Sequence, residues 1–307
     1  MNPILNASRK YRAVRSVVSV IVLVMIAAML FSLEATTAAQ QSSSAKAIVR
    51  HGLAVDGRIE GSVQQLSGED TTLNDGGVIT GDLLVPGTPT VHQNDNPSLG
   101  SVTQGEGGEQ PANYEITLNG NTQLGRLVNR TNPVEAPAVI APPAAGGTRD
   151  VTLSESDQSA GDFATVRDLT IEGAAGMVAV PPGTYRALTA NSGGFVFGVA
   201  GSSQPAVYNL NSLTLNEGSQ LQVLGPVVLT TGTGITINGP MGAASNPSWL
   251  NLKVAAGDVT LNSGSALYGA VLAGSGTITI NRNSSLTGNV VCDRLTVNAG
   301  GLLRIVE

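Results

Sequence analysis

The sequence predicts an all-β protein: a right-handed parallel β-helix, preceded by an N-terminal signal or transmembrane helix. The β-helix is predicted by a recurring four-residue phrase, a leucine at a fixed distance after it, and a high glycine content. The phrase is apolar-Thr-apolar-Asn, and it occurs six times, at Ile116–Asn119, Leu213–Asn216, Ile235–Asn238, Val259–Asn262, Ile278–Asn281 and Leu295–Asn298. The asparagines of the last five copies are 22, 24, 19 and 17 residues apart. A period near twenty residues is typical of a solenoid, whose coils bury their apolar sides only by stacking on one another.

Each copy of the phrase also predicts the geometry of its coil. The apolar residues on either side of the threonine should point inward, with equivalent positions stacked about 4.8 Å apart. The asparagine should take the left-handed backbone of a corner and hydrogen-bond to the asparagines above and below it. Gly269 and Gly288, each seven residues after an asparagine, fit the next corner. A leucine stands five residues after the asparagine in five copies, at Leu124, Leu221, Leu267, Leu286 and Leu303.

The composition favours thin apolar layers and an uncharged polar surface. The chain has 38 glycines, only 3% aromatic residues and 12% charged residues. Between Ala187 and Leu252 the only charged side chain is Glu217. This pattern excludes a nucleic-acid partner, because phosphate backbones require clustered lysine and arginine. The net charge of −6 indicates only solubility.

The first 39 residues have the pattern of an export signal. Basic residues between Arg9 and Arg15 precede an uncharged run, Val17–Leu33, and small residues follow, ending at Ala39. We predict a signal peptide over residues 1–39, cleaved after Ala39. The alternative is an uncleaved signal anchor, because a run of this length is close to the minimum for crossing a bilayer. Residues 17–33 would then be the chain's only membrane contact. No cysteine follows the run closely, which excludes a bacterial lipoprotein anchor.

The rest of the chain divides by composition. We predict a polar linker over residues 40–50, N-terminal β-coils over 51–130, a Pro/Ala-rich excursion or linker over 131–149, and the β-helix over 150–307. Residues 87–111 are expected to be loop, because they are rich in proline, glycine, asparagine and glutamine. The prolines within residues 132–147 predict an extended, polyproline-like crossing. That crossing either links two domains or leaves and rejoins one solenoid, and the repeat phrase on both sides favours one solenoid.

For two single residues of the β-helix, Trp249 and Cys292, the sequence predicts a specific environment. The longest spacing between copies is explained by a bulge over residues 240–248, which Trp249, the only tryptophan, should pack against the stack. Stacking of Trp249 on a carbohydrate is the alternative. Cys292 is the only cysteine, so no intrachain disulfide exists, and strand alternation places it in the core with Val290.

The chain from Val180 onward resembles a group of bacterial proteins. The resemblance lies in Val180–Tyr185 followed by Leu188-Thr189, in Leu213–Asn216, in Tyr268–Ala273 and in Gly288–Cys292. These segments are similar to β-helix modules of exported surface proteins, including pilus-assembly proteins and surface domains named for their variable anchors. Val55–Gly61 more loosely resembles the rungs of bactofilins, which polymerise end to end. The resemblance implies an exported structural module and supplies no site residues.

Neither the acidic residues nor the histidines indicate a catalytic or metal-binding site. Polysaccharide lyases and hydrolases have the same fold, so only a catalytic site can distinguish an enzyme from a structural protein. Before the terminal Glu307, the acids of the regular series are Glu217 and Asp258, which fall at turns, and Asp293, which should pair with Arg294. The converging carboxylates of glycosidases and the acid clusters that bind Ca²⁺ are missing from this pattern. His51 and His92 are expected outside the regular stack. We therefore predict no enzyme, no catalytic, cofactor-binding or metal site and no cofactor, and the binding residues stay open.

These observations predict a non-enzymatic, exported structural or adhesive β-helix protein of a cell surface, a matrix or a pilus-like assembly. The alternative is a β-helix that binds or degrades polysaccharide. The C-terminal residues Leu302–Glu307 run straight out of the last repeat, and an open strand edge invites another chain. We therefore expect self-association or partner docking at the C-terminal end, with a surface polysaccharide as a further partner.

Export can be tested by fractionating the native host. We expect the protein in the extracellular or surface fraction, because the basic flank precedes the apolar run and keeps that end in the cytoplasm. Full-length, unprocessed protein recovered from the cytoplasm would refute export.

Overall fold

Parallel β-strands make up almost all of the regular structure. The computed structural model describes residues 46–74 and 76–306; the predicted signal segment, residues 1–39, lies outside them. The strands are β1 Lys46–Val49, β2 Leu53–Val55, β3 Arg58–Glu60, β4 Ser62–Gln65, β5 Thr71–Leu73, β6 Val78–Leu84, β7 Thr90–Asn94, β8 Ser98–Leu99, β9 Val102–Gln104, β10 Glu115–Asn119, β11 Gln123–Asn129, β12 Arg149–Leu153, β13 Val166–Ile171, β14 Met177–Ala179, β15 Gly183–Ala190, β16 Gly193–Phe197, β17 Ala206–Leu215, β18 Ser219–Val223, β19 Val227–Thr231, β20 Ile235–Ile237, β21 Pro240–Gly242, β22 Leu250–Val254, β23 Val259–Leu261, β24 Ala266–Tyr268, β25 Ala270–Ile280, β26 Ser285–Thr287, β27 Val290–Val297 and β28 Leu302–Arg304. Two 3₁₀ turns, Phe163–Thr165 and Pro247–Trp249, are the only helical elements in these ranges, and neither could span a bilayer.

The strands wind around one core as three faces, which is the architecture of a β-helix. Face A carries the repeat phrase, face B carries the leucine five residues later, and face C completes the coil. Face A consists of β12, β13, the ends of β15, β17, β25 and β27, and β20, β23, β2, β5, β10 and β7. Eight of these strands come from residues 149–297, one for each coil of the predicted β-helix.

The core contains the residues that the repeat phrase predicts. The isoleucines, leucines and valines on both sides of the phrase threonines are at most 3% exposed. The leucines of face B form a second column in register, in which Leu267 pairs with Leu286 and Leu286 with Leu303. All five predicted leucines are buried. The period-two alternation of the sequence therefore fixes which side of each strand faces the core.

The first and the last described coils meet in the middle of the stack. β27 pairs with β1 and β2, and β28 pairs with β3, so the first coil continues the stack where the last coil ends. The open C-terminal edge predicted at residues 302–307 is therefore wrong, because β28 has β26 on one side and β3 on the other. Self-association through that edge loses its basis.

Two segments predicted to lack structure are strands. Within the predicted linker 40–50, Lys46–Val49 forms β1, and Ala47 and Val49 are fully buried between β27 and β4. The linker prediction fails there because a four-residue strand gives too short an alternation to read. Residues 90–104, predicted as loop, form β7, β8 and β9 at one end of the stack.

That end of the stack is built out of chain order. β10 and β11 come later in the chain but lie between β7–β9 and the coils beneath. In the terminal coil Gln93 occupies the inward position that Leu118 and Leu73 fill below it. Val102 continues the column of Leu127 and Leu83 yet is 47% exposed. A polar residue in a core position is the mark of a capping coil.

The predicted Pro/Ala-rich crossing runs the length of face C. The carbonyl of Asn132 accepts a 2.8 Å hydrogen bond from Gln64 Nε2 in β4. The Pro137 carbonyl lies beside Gly274, where a Cβ would approach it to 3.1 Å. β4 and Gly274 are three strand spacings apart, about 14 Å. Five residues of polyproline-like chain span about the same distance. Thr148 then donates to the Thr165 carbonyl, and β12 begins at the far end.

The corners after face A are tight turns with a left-handed residue. The amide of Ser219 donates to the Asn216 carbonyl, and Ser265 does the same to Asn262. Gly218 and Gly264, each two residues after the asparagine, have positive φ of 78° and 82°, the position that a type II turn requires. The phrase asparagine itself was expected to be left-handed, and that prediction is wrong.

The predicted bulge is shorter than expected. Pro240–Gly242 is a regular face B strand, so the extra residues begin at Ala243 and include the 3₁₀ turn that ends at Trp249. Trp249 is half-buried and packs against the core, as predicted. Gly269 and Gly288 lie at the corner between faces B and C, where the Gly269 amide donates to the Thr287 carbonyl.

The reach of the crossing can be tested by deleting residues 133–142. From β11 to β15, face C contains nine strand spacings, about 43 Å. After the deletion only ten steps join Asn129 to Arg149, at most about 36 Å. We expect the N-terminal coils to lose their place on β27, which thermal unfolding and limited proteolysis of residues 46–130 would detect.

The matched control replaces the same ten residues with glycine and serine, which keeps the length and removes the side chains. We expect this variant to keep the wild-type proteolysis pattern. If deletion and replacement behaved alike, reach would not be the constraint.

Candidate functional site

Face A presents a long row of similar side chains to solvent. The residue at the centre of each strand points outward, and in ten strands it is threonine. This threonine column consists of Thr152, Thr170, Thr189, Thr214, Thr236, Thr260, Thr279, Thr296, Thr72 and Thr117. Ala54 interrupts it between Thr296 and Thr72, and His92 ends it. Each member is exposed or half-buried, so one methyl and one hydroxyl group recur about every 4.8 Å.

The sequence identified six of these ten threonines by the repeat phrase. The other four stand in imperfect copies, Val151–Ser154, Leu169–Glu172, Leu188–Asn191 and Thr71–Asn74. A search for any β-branched or aliphatic residue followed by threonine and a second aliphatic residue would have found three of them. The order of the column could not be found, because Thr296 is followed in space by residues near the N-terminus.

The predicted asparagine ladder is present along the edge of face A. Asn298 donates to Asn281, Asn281 to Asn262 and Asn262 to Asn238, with distances of 2.7, 3.3 and 2.6 Å. Asn216 and Asn191 form a second run that reaches Glu172. At the other end Asn94, Asn119, Asn74 and Asp56 form a similar chain of bonds. Asn238 donates to the Leu215 carbonyl, which ends the central run. The ladder holds the edge of face A in fixed register.

Charged side chains on face A are unevenly distributed along the threonine column. Next to the threonine column, Asp150 and Asp168 lie at one end and Asp70 and Glu115 near the other. Arg167 binds Asp150 at 2.9 and 2.6 Å, and this bond lowers the pKa of the Asp150 carboxyl. Two positions before Thr189, Thr214 and Thr236 the chain has the uncharged residues Ala187, Ser212 and Gly234. Asp258 and Arg294 stand at the same distance before Thr260 and Thr296. The stretch of face A from Thr189 to Thr236 is therefore hydroxylated and low in charge.

Charged groups also hold the junction between the last and first coils. His51 Nδ1 lies 2.5 Å from Glu69, and His51 Nε2 lies 3.4 Å from Asp293. The bond from His51 lowers the pKa of Glu69. Asp293 was expected to pair with its neighbour Arg294; it pairs with Arg50 at 3.4 Å, while Arg294 reaches Glu69 at the same distance. These bonds join coils that are distant in the chain.

Both histidines lie in the stack, contrary to the prediction. His51 lies in the bend between β1 and β2, and His92 lies on β7 opposite Thr117. Neither belongs to a group of three or more ligand side chains that could hold a metal, as far as residues 46–74 and 76–306 extend. Glu217 and Asp258 lie at turns as predicted, and the Asp258 carboxylate accepts from the Thr277 amide at 2.8 Å.

Cys292 is a core residue, as predicted. It is fully buried with Val290, and burial raises the pKa of its thiol well above its usual range. A thiol that stays protonated and out of contact with solvent does not act as a nucleophile.

The rigidity of the ladder can be tested with Asn262→Asp. The Asn262 amide donates to Asn238 Oδ1, and a carboxylate would instead face that oxygen with a second acceptor. We expect the free energy of unfolding to fall by about 1–3 kcal/mol at pH 7. The new carboxyl should have a raised pKa in the folded state. The loss should therefore be small below the ordinary Asp pKa of about 3.9 and grow as pH rises.

Urea unfolding of variant and wild type at pH 3 and pH 7 measures this effect. Gln222→Glu, on an exposed position of face B, adds the same charge without facing an acceptor in the ladder and serves as the control. Equal losses in the two variants, or no dependence on pH, would show that the ladder does not stabilise this edge.

Comparison with known proteins identifies the family. A family model described as "Putative Ice-binding-like adhesive domain" matches residues 28–303, which is most of the chain and includes every strand of face A. Searches of curated proteins and of solved structures found no match. The finer resemblance to pilus-assembly modules and bactofilins stays an expectation. With a match over nearly its whole length, this chain belongs to the ice-binding-like adhesive domain family.

Proposed function

We propose that this protein is an exported, non-enzymatic adhesin, and that face A is its adhesive surface. The bound target is an ordered, uncharged, hydrogen-bonding surface, either ice or a crystalline polysaccharide. The threonine column is the observation that carries this proposal. Its ten members recur with the period of the strands and form an array of hydroxyl and methyl groups.

An ordered target needs a rigid partner. Every threonine of the column lies on a strand paired on at least one side, and the asparagine ladder fixes one edge of the face. Side chains that are already ordered lose little entropy on binding, so weak contacts repeated along the face can add up. The low charge beside the threonine column from Thr189 to Thr236 supports an uncharged target, because buried unpaired charges would oppose contact.

The chemistry of the carboxyl groups supports a role without catalysis. A glycoside hydrolase needs an acid with a raised pKa near a second carboxylate. Glu60, Glu69 and Asp150 have lowered pKa values instead, because arginine or histidine side chains hydrogen-bond to them. Asp168, the neighbour of Asp150, is likewise bound by Arg186 through Nε at 2.8 Å. These four carboxylates thus serve as ion-pair partners between coils.

Location outside the cytoplasm follows from the same proposal. Adhesion requires that face A meets an external surface, and the basic and apolar pattern of the first 39 residues would direct the chain outward. Cell surface, matrix and pilus-like assembly all satisfy this requirement. The C-terminal edge is paired, so it is not the point of assembly.

The decisive experiment places charge on face A. In the full chain, Thr236, Thr260 and Thr279 are replaced together by lysine, and adsorption to ice and to microcrystalline cellulose is measured. We expect adsorption to the target to fall about tenfold or more, since three ammonium groups would have to lose water at the contact. The control carries lysine at Gln222, Tyr268 and Thr287, a column of similar spacing on face B, and should adsorb like wild type.

The ice and cellulose measurements distinguish the two candidate targets, which both present ordered, uncharged hydrogen-bonding groups. Adsorption to ice alone or to cellulose alone, sensitive to the face A variant, identifies the target. If wild type adsorbs to neither, or both triple variants lose adsorption equally, face A is not the adhesive surface. New reducing ends released from cellulose would overturn the non-enzymatic part of the proposal.

A further inference from the structure

A cavity of about 590 Å³ lies at the end of the stack opposite the capping coil. Its walls come from the end of the crossing at Gly146 and Gly147, from residues 161–164, and from residues 181–185. It has no part in face A, because residues 183–185 belong to face C. The volume is in the range of ordinary ligand sites.

One wall of the cavity is a strand with a free edge. Gly183, Thr184 and Tyr185 pair with Tyr208, Asn209 and Leu210 on one side. On the other side the next segment, Phe163–Thr165, is a 3₁₀ turn, and no strand of the described residues pairs with 183–185 there. The turn replaces a strand that every inner coil of face C supplies. A strand edge with unpaired amide and carbonyl groups accepts an added strand.

The remaining walls favour an uncharged backbone as the occupant. Asp162 is the only charged residue that lines the cavity, and its carboxylate already accepts from the Ala164 amide at 3.0 Å. Arg149 nearby is bound to Thr165 Oγ1 and to the carbonyls of Ala160 and Asp162. At Gly146 an added Cβ would meet no atom within 4 Å, so this part of the lining is open to an approaching main chain. Phe163, set edge-on to Tyr185 with ring centres 6.5 Å apart, offers an apolar contact beside Pro181.

We propose that this cavity binds an extended, uncharged peptide segment of another protein, which adds as a parallel β-strand to Gly183–Tyr185 and completes the coil. Main-chain hydrogen bonds to the free edge supply affinity. An apolar side chain of the peptide contacts Phe163 and Pro181. This second site is separate from the adhesive surface on face A and does not rest on its function.

The probe is a blocked, fluorescent pentapeptide with the sequence of Ala206–Leu210, the segment that already pairs with Gly183–Tyr185 across their other edge. Its binding to the full chain is measured by fluorescence anisotropy. The blocking variant is Gly146→Phe, because a Cβ at Gly146 meets nothing within 4 Å and the glycine has no left-handed backbone. The matched control is Gly108→Phe, which also enters open space but lies outside the cavity lining.

We expect saturable binding to wild type and to Gly108→Phe, and at least a tenfold weaker affinity for Gly146→Phe with an unchanged unfolding temperature. A peptide N-methylated at alternate residues should lose binding, because it cannot form the ladder. Absent binding at millimolar peptide, equal affinity for both variants, or full binding of the N-methylated peptide would overturn the proposal. So would saturable binding of a neutral trisaccharide such as maltotriose that displaces the peptide, since the site would then be a glycan pocket.

Discussion

The parallel pairing of the last coil with the first coil is the contact on which the rest of the structure depends. β27 and β28 would otherwise present open edges, and so would β1, β2 and β3. Pairing them buries Ala47, Val49 and Val55 completely and removes two exposed edges from the middle of the molecule. The requirement also explains the long crossing. A chain that begins in the middle of its own stack must travel from one end to the other to fill the remaining coils.

This order of coils makes face A longer than either half of the chain could make it. Residues 149–297 contribute eight outward threonines, and residues 72 and 117 extend the column past the junction. The junction itself carries Ala54 in the column and Asp56 at the corner, where no bond to Asn298 continues the ladder. The ionic contacts of His51, Glu69 and Asp293 hold the coils together there. The threonine column and the closure of the stack therefore draw on different side chains of the same coils.

The three faces differ in what their outward side chains can do. On face C the outward column includes Leu272, Val291 and Ile48, and the crossing runs along this face. An apolar outward column there is half-buried, so it is unavailable to a large, flat target. Face B mixes glutamine, glycine, tyrosine and arginine in its outward positions and offers no repeated group. Only face A combines regular chemistry with exposure, and the family to which the chain belongs is an adhesive one.

The sequence could predict what repeats locally and could not predict what depends on the order of coils. Period-two alternation and a period near twenty residues specify strands, inward leucines and the asparagine ladder, because each rests on residues a few positions apart. The position of β1 on β27 rests on contacts between residues more than two hundred positions apart, for which a single chain carries no local signal. The wrong prediction of an open C-terminal edge has this origin.

Short strands were not predicted for a related reason: β1 and β7 are too brief, and too polar in the case of Gln93, to display an alternation. The left-handed corner was misplaced by two residues because asparagine and glycine both tolerate positive φ, and the hydrogen bond from residue 219 to residue 216 selects the glycine. The cavity beside Gly183–Tyr185 was beyond prediction for the same reason as the stacking order, since it exists only where a turn stands in place of a neighbouring coil's strand.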